Sequence, residues 1–360
     1  MTTVCSDMKC LRSSIAAGVD FVAQHQYPSG HFVAYRSDFA DGTVGKEFDI
    51  STFVTVSAVY CLQWVSSDQA NQVRRRAIEG LVGETPLRGF YRYFAEEQNY
   101  KPLELPGTLP LTIVPDLDTT SCMATVMSRC GHSVDAADVL IAQRNDCGLF
   151  PTWVTEAADD LDDSLPFLIM LPSNNEPCCG VNANVLTYLG DRNETREASE
   201  FIRAAYEDKC RTQYAQWYQE PFQAYMCSRA FFEGACSLAP IRDELLGRLC
   251  ERQLPDGSCG TAIETAAAAC ALLNFNAVGS ELESAIRFLT TVQRADGGWP
   301  RGTFYIGDRR NYGVEIRLSG TRRLLRQPTS GDGQILCYCG SDEITTLFCL
   351  EALSRFAEAG

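Results

Sequence analysis

The chain has 360 residues, of which 45% are hydrophobic and 21% charged, and a net charge of −15 at pH 7. This acidic balance argues against a nucleic-acid partner, because little positive charge is available to neutralise phosphates. No apolar stretch approaches the ~20 residues of a membrane-spanning helix, and the first residues lack the basic and apolar regions of a secretory signal. We therefore expect a soluble cytoplasmic protein without an integral membrane segment.

The chain contains 17 cysteines and 3 histidines. The cysteine count is odd, and neither Cys178 with Cys179 nor Cys337 with Cys339 has further ligands at the spacing of a metal site. Most cysteines lie in apolar helical stretches, where a reduced cysteine packs as a small hydrophobe. The prediction is a protein with no bound metal and no cofactor.

A repeated unit runs along the chain, as in proteins built from stacked helical pairs. Four segments have the pattern of a helix that ends in glutamine and is followed by a turn with glycine: residues 21–32, 140–153, 249–260 and 288–300. Helical stretches rich in small residues and threonine follow them, at residues 48–62, 181–190, 264–273 and 341–353. A fifth such stretch, residues 115–127, follows a segment without the glutamine.

Repeated helical pairs bury their faces against their neighbours. Five or six pairs closed into a ring would form an all-α, single α/α barrel, with residues 1–360 as one domain and the threonine-rich helices around a lumen. An open solenoid is the structural alternative. Two stretches interrupt the pattern: residues 214–232 hold seven aromatic residues, and residues 305–335 have the alternation of a short β-hairpin or lid.

Two motifs in this framework resemble those of a known enzyme family. Residues 288–299 resemble the QW motif of squalene–hopene and oxidosqualene cyclases, with matches at Phe288, Leu289, Gln293, Gly297 and Trp299. The sequence DLDTT is similar to the DxDD acid motif of class II terpene cyclases and comprises Asp116, Leu117, Asp118, Thr119 and Thr120.

The resemblance implies that Asp118, the middle acid of the motif, protonates a terminal alkene or epoxide and that Asp116 is its neighbour. Thr119 replaces the third aspartate of the family, so its hydrogen bond must come from a hydroxyl or another residue. We expect Asp118, Asp116, Thr119 and Thr120 to be the catalytic group. Protonation of an alkene requires a carboxyl that is neutral when the substrate arrives, and burial beside a second carboxyl raises the pKa of an aspartate.

The resemblance covers nearly the whole chain but supplies only one barrel, as in the single-domain bacterial class II cyclases of the merosterolic acid synthase type. It implies a linear isoprenoid or prenylated aromatic acid as the substrate, cyclised through carbocations inside the lumen. Aromatic faces stabilise such cations, and the candidates are Trp153, Phe167, Trp217, Tyr218, Phe222 and Tyr225. The candidates for a polar group that ends the reaction are Asn182, Asn184 and Glu343.

An arginine-rich segment could hold an anionic head group of the substrate, since arginine binds carboxylates in a bidentate manner; the alternative is a solvated loop. Its arginines are Arg309, Arg310, Arg317, Arg322, Arg323 and Arg326. A second acidic motif, DLDD at residues 160–163, lies in an acidic run that is typical of a solvated loop or a Mg²⁺ contact.

Three functional classes remain at this level. The first is the class II cyclase. The second is another α/α-barrel enzyme, either glycoside-processing with two opposed carboxylates or resembling a zinc prenyltransferase, although no Asp–Cys–His trio is evident. The third is a non-catalytic helical-repeat binding protein.

Overall fold

The computed structural model describes residues 2–38, 48–99, 109–162, 166–173, 175–207, 217–308, 312–318, 321–326 and 336–359. The helices in these ranges are α1 (Thr2–His25), α2 (Thr52–Leu62), α3 (Asp68–Val82), α4 (Glu96–Asn99), α5 (Leu117–Arg129), α6 (Ala137–Ala142), α7 (Cys179–Leu189), α8 (Arg196–Glu207), α9 (Glu220–Phe232), α10 (Arg242–Arg252), α11 (Ala262–Asn274), α12 (Ser280–Val292) and α13 (Asp342–Ala359). The strands are β1 (Phe32–Ser37), β2 (Phe48–Ser51), β3 (Leu111–Ile113), β4 (Phe167–Pro172), β5 (Tyr305–Asp308), β6 (Tyr312–Leu318), β7 (Thr321–Arg326) and β8 (Leu336–Gly340).

Six helices form a closed inner ring. The helices α2, α5, α7, α9, α11 and α13 pack side by side in that order, and α13 returns to pack against α2. Outside them, α1 packs on α13, α3 on α2, α8 on α7, α10 on α9 and α12 on α11. An inner helix is covered by an outer helix on one side and by the other inner helices on the other side. All eleven residues of α2 are therefore buried. The ring is therefore closed, and the open solenoid is not the arrangement found.

The threonine signal of the sequence comes from one repeated contact at the start of the inner helices. Backbone N–H groups from the preceding segment donate to the hydroxyls of Thr55, Thr120 and Thr265, each at 2.9 Å. Each hydroxyl in turn donates to the carbonyl four residues earlier, at 2.6 to 2.9 Å. Asn182 makes the equivalent contact with the backbone of Phe150. These side chains join the start of each of these inner helices to the backbone of the segment before it.

The repeated glutamines tie neighbouring outer helices together. The side-chain amide of Gln293 donates to Gly297 O at 2.7 Å and to Ser14 O in α1 at 2.9 Å. Gln26 bonds in the same way to its own turn and to α3, and Gln253 to its own turn and to α12. Gly297 has φ of +89°, and a Cβ there would collide with the carbonyl of Ala17. The turn therefore requires glycine.

The helical majority is as predicted, but the chain is not all-α. The strands form two four-stranded sheets, in the orders β2-β1-β8-β5 and β3-β4-β6-β7. The predicted C-terminal hairpin is β6 with β7, where Leu318 pairs with Thr321. The other strands were missed because their partners are distant in sequence; Arg36 in β1, for example, pairs with Cys339 in β8.

Two further segments differ from their predicted structure. Residues 48–51, predicted as the start of a helix, form β2, and the helix begins only after the Ser51 cap. The aromatic segment, predicted to interrupt the repeat, instead supplies α9, the fourth of the six inner helices, which begins with Glu220 and Pro221. Proline is favoured in the first turn of a helix. Within the described ranges, no helix is both long and apolar enough to span a membrane.

Candidate active site

A cavity of about 360 Å³ lies where the starts of α2 and α5 meet both sheets. Its volume is within the range of small-molecule sites. The aromatic residues that line it are Phe53, Tyr93, Phe94, Trp153, Trp217, Tyr218, Tyr305 and Tyr312. The carboxyl groups that line it are those of Asp49, Asp116 and Asp118. The site is therefore an aromatic pocket with a few buried acids.

Asp116 caps α5 and holds the first turn in place. Its Oδ1 accepts a hydrogen bond from Thr119 N at 2.5 Å, and its Oδ2 accepts one from Thr119 Oγ1 at 2.9 Å. The backbone of this turn is fixed by Leu117 N, which donates to Thr152 O at 2.8 Å. Burial first, and then the nearby Asp118, raise the pKa of Asp116 to about 8, against the opposing effect of the Thr119 hydrogen bonds. Asp116 is thus an acid that retains its proton near neutral pH.

Asp118 projects from the first turn of α5 and is 6% exposed. Its Oδ1 accepts from the Asn184 amide and its Oδ2 from the Tyr218 hydroxyl. Burial raises the pKa of Asp118, while hydrogen bonds from Asn184 and Tyr218 and the charge of Arg229 oppose that rise. Burial favours the neutral acid, and the two donors stabilise the carboxylate that would remain after proton release.

Arg229 lies behind Asn184 and fixes the orientation of its amide. The guanidinium donates to Asn184 Oδ1, so the Asn184 NH₂ group is left to face Asp118. The Arg229 guanidinium is buried between aromatic rings, 4.9 Å from the ring centroid of Tyr60 and 5.2 Å from that of Tyr225. The sequence analysis missed Arg229; the available signal was an arginine inside the apolar, aromatic α9 segment.

Two tryptophans form one wall of the cavity. The rings of Trp153 and Trp217 meet edge to face, with centroids 5.9 Å apart and planes at 89°. Tyr312 of β6 packs against both rings. Trp217 Nε1 donates to Thr152 Oγ1 at 3.1 Å, which fixes the position of that indole. Packing and this hydrogen bond therefore fix the orientation of the two indole rings without a ligand.

The structure brings together some of the residues singled out in the sequence and places the others elsewhere. The cavity is lined by Asp116, Asp118, Thr119, Trp153, Trp217 and Tyr218, and Asn184 contacts Asp118 from behind. The candidates that do not line it are Thr120, Phe167, Asn182, Phe222, Tyr225, Arg317 and Glu343.

Those seven residues have contacts of their own. The hydroxyl of Thr120 and the amide of Asn182 hold backbone, as in the other repeats. Phe222 packs against Phe304 and Phe348, and the Tyr225 hydroxyl donates to Glu351 at 3.0 Å.

The remaining three are also buried. Arg317 forms an ion pair with Glu315 of its own strand, and Phe167 lies opposite Arg317 in the register of β4 and β6. Glu343 lies in the first turn of α13, where burial raises its pKa.

The acidic run and most of the arginine-rich segment lie away from the cavity. Asp160 is 40% exposed and paired with Arg88, which lowers its pKa, the opposite of what a proton donor needs. Arg322 pairs with Asp159 on the surface. Asp163, Arg309 and Arg310 lie outside the described residues.

The sequence analysis also missed an ion pair that lines the cavity. Arg36 of β1 lies 3.3 Å from Asp49 of β2. Cys337 and Cys339 of β8 are beside them, with sulfurs 3.9 Å apart. No group of three or more histidine, cysteine, aspartate or glutamate side chains placed to hold a metal occurs in the part of the chain that the structure describes.

Comparison with known proteins gives a match at the level of structure. No protein-family model matches the sequence, and no curated protein matches it. The type II terpene cyclase MstE from Scytonema, solved without ligand, aligns with a TM-score of 0.68 at 15% identity, over 98% of this chain and 99% of that one. A variant of MstE in complex with its substrate geranylgeranyl dihydroxybenzoate aligns with a TM-score of 0.64 at 16% identity, over 98% of both chains.

A sugar-converting enzyme is a more distant structural neighbour. Cellobiose 2-epimerase from Bacillus thermoamylovorans aligns over 100% of both chains with a TM-score of 0.51 at 12% identity. The higher TM-scores belong to the cyclase structures. The chain therefore has the fold of the type II terpene cyclase MstE.

Proposed function

We propose that this chain is a class II terpene cyclase that protonates a linear isoprenoid and cyclises it through carbocations. The observation that carries this proposal is the placement of Asp118. Its carboxyl is buried in the wall of an aromatic cavity, beside a second acid, and receives hydrogen bonds from Asn184 and Tyr218. In this setting burial favours the neutral carboxyl, and the two donors stabilise the anion that proton release leaves behind.

The chemistry follows from that arrangement. The proton of Asp118 adds to the terminal alkene or epoxide, and the carbon left electron-deficient is attacked by the electrons of the next alkene, which forms a ring bond. Repetition moves the positive charge along the chain until a final proton is lost. One proton is gained and one is lost, so the product is an isomer of the substrate.

The cavity wall suits the positive charge that develops. Aromatic faces attract cations, by about 2 kcal/mol or more where water is excluded. Trp153, Trp217 and Tyr218 present rings to the cavity, and Phe53 lies beside Tyr218, with centroids 6.5 Å apart. We propose these four side chains as the cation-stabilising group.

The substrate class comes from the structural neighbour. A variant of MstE was solved with geranylgeranyl dihydroxybenzoate, and 98% of this chain aligns with that structure. We therefore propose a prenylated aromatic acid as substrate, with residues 1–360 acting as one barrel domain. The acid step uses protein carboxyls, so the proposed reaction needs neither a metal nor a cofactor.

The glycoside-processing alternative has less support from this cavity. Sugars require many polar partners, whereas the lining is dominated by aromatic and apolar side chains. The zinc prenyltransferase alternative also has less support, because it requires a histidine in the site. None of the three histidines lines the described cavity, and His31, for example, pairs with Glu84 at 3.1 Å.

The test is to incubate the purified protein with farnesyl and geranylgeranyl dihydroxybenzoates in H₂O and in D₂O, with and without EDTA. We expect a product of unchanged mass with fewer alkenes in H₂O, and one carbon-bound deuterium when the reaction runs in D₂O. EDTA should have no effect. Binding without conversion would favour the helical-repeat binding protein, and conversion without deuterium would exclude alkene protonation.

A further inference from the structure

A third carboxylate in the cavity differs from the acid pair. Asp49 of β2 is 3% exposed and faces a cation, the Arg36 guanidinium at 3.3 Å. Asp118 instead receives hydrogen bonds from the neutral groups of Asn184 and Tyr218. A guanidinium beside a carboxyl favours its ionised form. The cavity thus holds a carboxyl with neutral donors at one place and a carboxylate with a cation at another.

The two groups reach the cavity from different elements of the fold. Asp118 belongs to the helical ring, whereas Asp49 lies on the sheet formed by β2, β1, β8 and β5. The charge of Asp49 acts on Tyr93, Tyr305 and Cys339, whose pKa values are raised mainly by burial or by hydrogen bonding. None of these residues is a hydrogen-bond partner of Asp118. Asp49 and Asp118 therefore have different polar neighbours within the same cavity.

The polar residues predicted to end the reaction have other roles or positions. Asn182 holds the backbone of Phe150, and Asn184 is held between Arg229 and Asp118. Glu343 does not line the cavity. Among the described residues that line it, Asp49 is the carboxylate outside the acid pair.

We propose that Asp49 is the base that accepts the final proton, and this inference rests on the proposed cyclase function. A C–H bond next to the last cation breaks, its electrons form a C=C bond, and the proton moves to a carboxylate oxygen of Asp49. If a phenol oxygen attacks the cation instead, a C–O bond forms and Asp49 takes the phenol proton. A weak base is sufficient, because a carbocation is a very strong acid. Asp49 then returns the proton to solvent, and Asp118 regains one.

The test is the product profile of Asp49→Asn with a substrate that the wild type converts. We expect the wild-type product to be replaced, because the acid step remains but the final proton has lost its acceptor. Without the base, other alkene isomers and alcohols formed by water capture should appear, and the alcohols should carry ¹⁸O when the reaction runs in H₂¹⁸O. Asp49→Glu should restore much of the wild-type product.

Controls separate a failure of this inference from a failure of the proposed function. Asp38→Asn removes an exposed carboxylate just after β1 and should leave the products unchanged. The pair Arg36→Gln with Asp49→Asn removes both charges, so that a folding defect from an unpaired guanidinium can be recognised. Wild-type products from a folded Asp49→Asn, even with a raised KM, would overturn the base assignment and leave the cyclase proposal intact. If the wild type converts no substrate, the proposed function itself fails.

Discussion

The helices α5 and α11 enter the inner ring through the same contacts. Each is capped by a side chain, Asp116 or Thr261, and each has a threonine four residues after the cap. In both helices that hydroxyl accepts a backbone N–H at 2.9 Å and donates to the carbonyl of the cap residue. The first turns nevertheless carry acids with opposite surroundings.

The acid of the α11 turn is Glu264, which closes a capping box with Thr261 and pairs with Arg252 at 3.0 Å. The acid of the α5 turn, Asp118, faces the cavity and accepts hydrogen bonds from the neutral groups of Asn184 and Tyr218. Arg229 contacts Asn184 rather than Asp118 itself. The repeat thus supplies the same scaffold twice, and the partner of the carboxyl decides whether the turn is structural or a candidate for proton transfer.

Replacement of the two acids should separate these roles most clearly. Asp118→Asn removes the transferable proton, and we expect turnover to fall by at least about 10³-fold. The free energy of unfolding should change by only about 1 kcal/mol, since asparagine is similar in size and neutral. Glu264→Gln is the matched control and should retain turnover. Product formation by the folded Asp118→Asn protein at the wild-type rate would remove Asp118 from the mechanism.

The acid pair should also give turnover a characteristic pH dependence. The pKa of Asp116 is raised to about 8 and that of Asp118 is raised, mainly by burial in both cases. Turnover needs the proton of Asp118, so it should be retained while that carboxyl is protonated and fall by about tenfold per pH unit once it ionises. A rate profile from pH 5 to 10, measured with a fold-sensitive signal, tests this. A rate that rises through pH 8 would contradict an acid mechanism.

Asp116→Asn should reveal the cost of keeping that acid neutral. Between its ordinary pKa of 3.8 and the folded value of about 8, the unfolded chain has lost a proton that the folded protein keeps. Unfolding then releases a proton, so stability falls as pH rises through this window and is constant above it. Asparagine removes this effect and remains a good helix cap. Urea unfolding should show a larger gain for the variant at pH 8 than at pH 5; equal gains would mean that Asp116 does not titrate in this range.

We expect the smallest difference in turnover between variants of the two threonines, Thr120 and Thr265. Thr120→Val leaves the half-buried N–H of Tyr91 without its partner, and Thr265→Val does the same to the buried N–H of Cys259. Each loss should cost about 1–3 kcal/mol of unfolding free energy. Because Thr120 makes the same contacts as Thr265, both variants should keep wild-type turnover per folded molecule. If Thr120→Val alone were inactive while folded, the threonine would have a role in the chemistry.

The helical framework could be predicted from the sequence because its signals are local and repeated. The glutamine turns and the threonine-rich starts each report a contact that recurs in the barrel. The inner helix α9 could not be found in this way, because its sequence is aromatic and lacks those threonines. The strands were largely missed because short strands carry little local pattern and their partners lie far away in the chain.

The candidate site divides in the same manner. Asp116 and Asp118 stand in a motif, so one stretch of sequence was enough to single them out. Asp49 lies in one of the threonine-rich stretches, but nothing in the sequence pairs it with Arg36, and only the sheet brings both residues to the cavity. Arg229 and Asn184 come from different helices, and their contact follows from ring packing rather than from spacing.

The closure of the ring affects how the chain is synthesised. Gln293 donates to the backbone of Ser14, 279 residues earlier, and α13 packs against both α1 and α2. On the ribosome, α1 and α2 emerge long before these partners exist, and their buried faces stay exposed during that time. Contacts between such distant segments form slowly, and partly folded chains with exposed apolar surface tend to aggregate. The packing of the first helices is therefore completed only after the last helix has been synthesised.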